Sequence, residues 1–373
     1  MQTTIPTLLM IPPAGGPARA ERWMAGARLA AARDLIDRLH MVKMADPVHI
    51  LAAESIDREI LREHADVVLD PLDMPFHFGR ALCRMIPEGA ERIAYFGGAS
   101  APLLTIEALE RMYTIGLEAD PFTAQVNNWH SSDWLLMTQP EHLNPIADEL
   151  PKDNALGWVL QHSGGYSVSA EEPSAATRGD IDTPADVCMI AAHPDAGEHL
   201  RAFIQANPVD LQQRCGAVLD VLRTPAASLA LIGRTSADAW QRLVQVSKIW
   251  VRVFAEERGM AASGRMARGE VHSILAAAIE AMGQQAFMHE LEQSADAVLW
   301  DTRVWMAHHH IWPSDADRFA ADFGWVDQIQ DADLRRLTEA QNSISIPMIC
   351  GGHGVVSGGL YALLETIAYQ PSR

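Results

Sequence analysis

Long apolar runs, paired cysteines and an excess of basic side chains are all missing from this chain, and each absence closes off a class of protein. Nothing approaches the ~20 unbroken apolar residues of a spanning helix. The early apolar stretch 5–13 is interrupted by prolines and has no basic leader, so the chain is expected to be neither exported nor anchored. Four cysteines, Cys83, Cys188, Cys215 and Cys350, lie far apart with no pair at zinc-ligand or redox spacing. They exclude a disulfide scaffold, and a reducing cytoplasm fits. Acids outnumber bases 48 to 29, a formal net charge of -19, and such a field repels nucleic acid and anionic membranes. A phosphate-bearing ligand therefore has to be met by local cations or backbone N–H groups.

What is present is ample core material. Apolar residues make up 48% and charged residues 21% of 373, which argues against disorder, and domains of about 100 to 200 residues make two the natural division. A strand at 7–11 runs into a Pro/Gly turn and then a helix with the stripe Trp23, Ala27, Ala31, Leu35 and Leu39. Strands at 47–52 and 66–69 flank a helix near 55–64, a helix is expected at 78–86, and a buried strand at 92–96 stops at Gly97-Gly98 before a helix that starts at Thr105. Further strands are expected at 134–137 and 157–160, and 169–183 is rich in turn residues. From residue 199 the pattern becomes mainly helical, clearest at 212–222, 240–257 and 274–294, with strands at 227–232 and 343–349. The expected fold is a Rossmann-like, mostly parallel α/β domain over 1–195, followed by a mainly helical domain over 196–373.

Three stretches carry chemistry. The first is Ala14-Gly15-Gly16 with Arg19 and Arg22, a loop after the first strand where backbone N–H groups and a basic side chain can hold phosphate. The second is Phe96-Gly97-Gly98-Ala99-Ser100-Ala101-Pro102-Leu103-Leu104-Thr105, a strand end, loop and helix start. The third is Arg178-Gly179-Asp180-Ile181-Asp182-Thr183-Pro184-Ala185-Asp186-Val187. In an extended segment Asp180 and Asp182 point the same way and can present two carboxylates to one hard cation. Thr183-Pro184 starts the next helix, and the plain reading of the same segment is an N-cap after a solvated acidic turn.

In order and spacing the three stretches resemble the small nucleotidyltransferases of the glycosyltransferase-A fold, such as the molybdenum-cofactor nucleotidyltransferases and 2-phospho-L-lactate guanylyltransferase, over about residues 7–190. The resemblance implies an enzyme that moves a nucleoside monophosphate from a nucleoside triphosphate to a small phosphorylated acceptor and releases pyrophosphate. It implies Mg2+ or Mn2+ on Asp180 and Asp182, and phosphates held by Ala14, Gly15, Gly16, Arg19 and Arg22, with Gly98 and Pro102 against the nucleotide. Ser100 stands where the family has a metal-binding Asp, and no lysine occurs before Lys43 where the family has one after the loop. The polar cluster Asn127, Asn128, Ser131, Ser132 and Asp133 lies where such enzymes contact the acceptor, and reads equally as a turn before the next strand. Alternatives are a nucleotide-sugar-dependent glycosyltransferase of the same fold and a catalytically altered nucleotide-binding or regulatory protein.

The second half resembles no family and is expected to shape the acceptor pocket or form a homodimer. His308-His309-His310 reads as local polarity, since adjacent helical side chains splay by ~100°. His353, in a late Gly-rich loop, is a candidate for catalysis or anion binding, with a tight packing turn as the plainer reading. The basic set including Arg234, Arg252 and Arg258 reads as surface pairing or an extension of a phosphate site.

Overall fold

A computed structural model describes residues 3–11, 13, 15–53, 55–62, 65–69 and 76–369. It contains two compact units, one of residues 1–14, 25–180 and 197–200, the other of residues 15–24, 181–196 and 201–373. Among the described residues no helix is long and apolar enough to cross a membrane.

The first unit is built on seven strands, β1 (Thr7–Ile11), β2 (Val48–Ala52), β3 (Val67–Leu69), β4 (Arg92–Gly97), β5 (Thr123–Val126), β6 (Trp134–Thr138) and β7 (Ser167–Ala170), in the order β3-β2-β1-β4-β6-β5-β7. Only β6 runs against the rest, pairing antiparallel with β4 and β5 while the other pairs are parallel. The architecture is the mostly parallel Rossmann-like α/β arrangement expected from the sequence.

β1 shows why a continuous apolar run belongs in such a sheet. Side chains alternate between faces, so Leu9 and Ile11 join a core under the helices Arg19–Met41 and Ile106–Glu118, with Leu35, Leu39, Phe96 and Tyr113. Leu8 and Met10 join a second core on the opposite face, with Phe78, Leu82, Tyr95 and Leu160. With helices on both faces no strand position can be polar at low cost. The helix at Ile106–Glu118 starts where expected, its N-cap Thr105 accepting from the amide of Ala108 at 3.2 Å. The stretch 157–160 is not a strand but part of the helix Leu156–His162. Four apolar residues do not distinguish a buried strand from one buried face of a short helix.

The second unit holds more sheet than the helical pattern suggested. Its four strands, β8 (Ser228–Gly233), β9 (Trp250–Ala255), β10 (Ala297–Asp301) and β11 (Met348–Gly351), are all parallel in the order β11-β10-β8-β9. The expected helix 240–257 is in fact the helix Ala237–Val246 followed by β9. β9 is an edge strand with Trp250 and Phe254 exposed, so it carries little of the buried alternation that marks a strand in sequence. Cys188 and Cys215 are buried neighbours, the hydrogen bond to Cys215 and burial both raising the Cys188 thiol.

Candidate functional site

Because β6 is antiparallel, its first residues lie at the same edge of the sheet as the last residues of β4 and β5. The polar residues singled out from the sequence gather along this edge. Asn127, directly after β5 and 2% exposed, is its hub. Its Oδ1 accepts from the amides of Asp133 (2.9 Å) and Trp134 (3.3 Å), and its Nδ2 donates to Asp133 Oδ2 (2.9 Å) and to the carbonyl of Thr177 (3.2 Å). Arg178 donates to the Asn127 carbonyl. One side chain thus ties β5, the start of β6 and the approach to Asp180 together.

Ser100 is also drawn in. The backbones of Ser100 and Asp180 form an isolated antiparallel bridge, so the second and third sequence stretches, eighty residues apart, meet directly. The Ser100 hydroxyl is only 4% exposed and donates to the carbonyls of Gly97 (2.7 Å) and Asp133 (3.1 Å). It closes a turn, and the Asp133 carbonyl also accepts from the amide of Gly97 at 2.9 Å. Burial, followed by the charges of Asp153, Asp133 and Asp180, holds the Tyr95 phenol well above its ordinary range, which places three carboxylates within electrostatic reach of one buried hydroxyl.

Restoring an acid at this position is therefore expected to cost stability. A carboxylate at Ser100→Asp would face two carbonyl oxygens that now accept a proton, and leaving buried groups opposed in this way costs about 2 kcal/mol or more. Urea denaturation of Ser100→Asp at pH 7 and at pH 4 should show a deficit that shrinks on acidification. A variant as stable as the parent at both pH values would contradict this geometry.

The remaining acceptor-side candidates divide by their bonds. Ser132 is fully buried, donating to the Asn128 carbonyl (2.8 Å) and accepting from the Gly157 amide (3.1 Å), so its role is to hold the turn. Asn128 Oδ1 accepts from the His130 amide at 3.2 Å, and Ser131 Oγ accepts from Asn154 at 2.8 Å. Both remain partly exposed, as does Asp133. Pro102 is buried, and Arg38 donates to its carbonyl (2.8 Å) and to that of Leu104 (3.1 Å), clamping the loop between β4 and its helix. Nothing in the sequence singled out Arg38, and Arg178 was read only as the first residue of the acidic stretch, since each acts through backbone carbonyls and no residue motif records that. Gly98 donates its amide to the Met10 carbonyl at 2.7 Å, fixing the ends of β4 and β1 together.

The Gly-rich loop lies partly outside the described residues, Ala14 among them. Gly15 and Gly16 belong to the second unit, as do Arg19 and Arg22. Glu21 Oε2 accepts from the amide of Ala18 at 3.1 Å, and a Cβ on Gly16 would come within 2.4 Å of the same oxygen. Where an anion was expected, the loop already carries a carboxylate of its own. Arg19 stacks on the ring of Trp325 at 4.2 Å, and Arg22 donates to the Pro17 carbonyl. Asp182 is exposed, and its charge reaches Asp186 in the same unit. Asp186 Oδ2 accepts from the Thr183 amide (2.7 Å) and hydroxyl (2.8 Å). The helix thus starts at Thr183-Pro184 as expected, but it is the buried Asp186 side chain that reaches back to the cap, the Thr183 hydroxyl donating where an N-cap would accept.

Among the described residues no group of three or more His, Cys, Asp or Glu side chains is arranged to hold a metal ion. Mg2+ does not require one, because it is commonly held by one or two carboxylates together with waters and substrate phosphates. The oxygen donors of Asp180 and Asp182 fit that chemistry. The histidine run fits none: His308 Nδ1 accepts from the Ser273 amide at 3.1 Å, and His309 packs on Trp305 with Glu280 3.4 Å away.

No protein-family model matches the chain, and no curated protein matches it. Among solved structures it is similar to a cytidylyltransferase from Leptospira borgpetersenii serovar Hardjo-bovis, at 16% identity over 57% of this chain and 98% of the other, with a TM-score of 0.39. It is also similar to a CMP:2-keto-3-deoxy-manno-octonic acid synthetase complexed with CTP, at 13% identity over 55% and 100% of the two chains, TM-score 0.37. A third is 4-diphosphocytidyl-2C-methyl-D-erythritol synthase from Anaerococcus prevotii, at 10% identity over 46% and 88%, TM-score 0.32. These are distant likenesses, and the functional reading rests on the chain's own residues.

Proposed function

We propose that the chain is a metal-dependent nucleotidyltransferase that moves a nucleoside monophosphate from a nucleoside triphosphate to a small phosphorylated acceptor. The observation that carries the reading is the backbone bridge between Ser100 and Asp180. It joins the two stretches that most resemble such enzymes at the carboxyl edge of a parallel sheet, where α/β proteins bind their ligands. An acceptor oxygen attacks the α-phosphorus, the bond to the bridging oxygen breaks, and pyrophosphate leaves in line. The work of the protein is positioning and charge neutralisation.

Asp180, with Asp182 two positions further along the chain, would hold Mg2+ or Mn2+. Bound there, such an ion would supply positive charge against that developing on the non-bridging phosphate oxygens. Gly15, Gly16, Arg19 and Arg22 would hold phosphates, which requires Glu21 to give up the Ala18 amide. The partly exposed Asn128, Ser131 and Asp133 would meet the acceptor, while Asn127 and Ser132 keep their turn in shape. The carboxyl missing at Ser100 favours a second reading, an altered nucleotide-binding protein without turnover.

A thermal-shift panel of the four nucleoside triphosphates, with and without Mg2+ or Mn2+, separates the two. Ligand present at 100 times its Kd stabilises the folded state by about 2.7 kcal/mol, so one triphosphate should raise the melting temperature by several degrees only with metal. The shift should vanish in Asp180→Ala. Pyrophosphate release with an acceptor present marks the enzyme, whereas a shift without turnover marks the altered protein. No shift with any nucleotide defeats both.

A further inference from the structure

The second unit holds the Gly-rich loop through its aromatic side chains. Residues 15–24 belong to that unit. Within them Trp23 packs edge-on against Phe203 (5.2 Å between ring centroids) and Phe323 (5.0 Å), and its Nε1 donates to the Asn207 carbonyl at 3.1 Å. Phe323 ends the helix Asp315–Phe323, and Gly324 follows it at φ 82°, the left-handed position that glycine takes at low cost. The Trp325 amide closes this turn by donating to the Ala320 carbonyl at 2.8 Å. Trp325 is thereby folded back on Phe323, the two rings stacked at 4.1 Å with their planes 16° apart.

With Phe323 on one face of the Trp325 ring, the Arg19 guanidinium takes the other, its carbon 4.2 Å from the ring centroid. Stacking uses the flat face of a guanidinium and leaves its N–H donors pointing outward in the plane. Arg19 is exposed, and among the described residues its side chain has no hydrogen bond or ion pair. Other arginines of the unit are already engaged. Arg22 donates to the Pro17 carbonyl. Arg234 gives its fork to the buried Asp301 at the end of β10, Nε to Oδ2 at 2.5 Å and Nη2 to Oδ1 at 3.1 Å, and Arg303 gives its own to Asp322. Arg19 is thus a planar cation laid flat on an aromatic ring with its hydrogen-bonding edge unused.

We propose that Trp325 is a positioning residue for the nucleotide, orienting Arg19 so that the edge of its guanidinium receives the triphosphate chain. The proposal rests on the reading of the Gly-rich loop as the phosphate holder. It gives the second half of the chain a part in the reaction, since Trp325, Phe323 and the turn at Gly324 all lie outside the stretch 7–190 that resembles nucleotidyltransferases. An arginine fork meets phosphate oxygens with parallel bonds, so its grip depends on the plane in which it is held. The Trp325 ring sets that plane before any ligand arrives, which lowers the entropy lost on binding.

The test is calorimetric titration of the full chain with inorganic tripolyphosphate and with each nucleoside triphosphate, Mg2+ present throughout. Tripolyphosphate has no base and reads the phosphate contacts alone. Trp325→Leu should weaken its binding about two- to fivefold, the scale of one exposed cation–π contact, and Trp325→Phe should bind as the parent does. Arg19→Gln should weaken it about tenfold or more. Arg19→Gln with Trp325→Leu should weaken it no further, because the ring acts only through the arginine. Arg19→Lys, a change at an exposed position, keeps the charge but loses the fork and should bind less tightly than the parent, a check that does not depend on how Trp325→Leu folds. Additive losses in the double variant, Arg19→Lys equal to the parent, or a parent that does not bind tripolyphosphate would each overturn the proposal. So would nucleotides weakened by Trp325→Leu with tripolyphosphate unchanged, which would make the ring a platform for the base. The enzyme reading is judged separately, by metal-dependent thermal shift and pyrophosphate release. If these hold in the parent while Trp325→Leu binds as the parent does, the positioning role alone fails; if they are absent while the tripolyphosphate pattern persists, the enzyme reading alone fails.

Discussion

Replacing Arg303 with Met is expected to lower the unfolding free energy by about 3–5 kcal/mol, the usual cost of leaving one member of a buried ion pair behind. Arg303 and Asp322 have side chains 5% and 1% exposed and are joined by two bonds, Nη1 to Oδ1 at 2.9 Å and Nη2 to Oδ2 at 2.7 Å. Arg303 also donates to Thr302 Oγ1 at 3.1 Å. Burial already pushes the Asp322 carboxyl above its ordinary range, with Arg303 opposing that push. Without the guanidinium the acid would have to protonate or drag water into the core. Replacing both residues, Arg303→Met with Asp322→Leu, removes the two desolvation costs together and should destabilise far less than the single change. Urea denaturation of the parent, both single variants and the double variant at pH 7 measures this directly. A single-variant loss below about 1 kcal/mol would show that the pair is not buried in solution.

The second large effect concerns Asp186 and appears as a pH dependence. Burial, then the charge of Asp182, raises its pKa from 3.8 to about 7, against the hydrogen bonds from Thr183. Its second oxygen, Oδ1, is buried without a partner, and a Cβ on Gly354 would lie 1.9 Å from it. The folded chain therefore holds a proton, between pH ~4 and ~7, that the unfolded chain has released. Across that window stability falls as pH rises, by about 1.4 kcal/mol per unit and on the order of 4 kcal/mol in all. Asp186→Asn keeps an oxygen for the Thr183 amide and hydroxyl and removes the titration. Its stability relative to the parent should climb steadily between pH 4 and pH 7 and level off above. A difference that is flat across the range would mean that Asp186 titrates normally in the folded protein.

How far the site could be read in advance differs residue by residue. The Asp180 segment and the Pro102-Leu103-Leu104-Thr105 loop were legible as motifs, because turn residues, an N-cap and apolar flanks are local properties. That Ser100 spends its hydroxyl on two carbonyls was not legible, since one of them belongs to Asp133 on another strand. Asn127 could be read only as polar density. Its burial and its four bonds depend on β6 running antiparallel beside β5, a pairing of residues distant in sequence. β9 was hidden for a different reason: an exposed edge strand is under little pressure to alternate apolar with polar residues, so the helical periodicity before it carried the reading through.

The amino-acid sequence alone determined the local elements of the first unit and its sheet-forming character, because continuous apolar strands, Gly-rich stops and N-caps act over a few residues and need no partner. It also determined which chemistry the net charge discourages. Only the tertiary structure decided which polar groups are spent and which remain. Pairing with distant backbone consumed Ser100, Asn127 and Ser132, burial set the proton on Asp186, and the parallel order of β8 and β10 brought Arg234 to Asp301. Hydrogen bonds and charges act over a few ångströms in space, and along this chain those distances span tens of residues that no local pattern encodes.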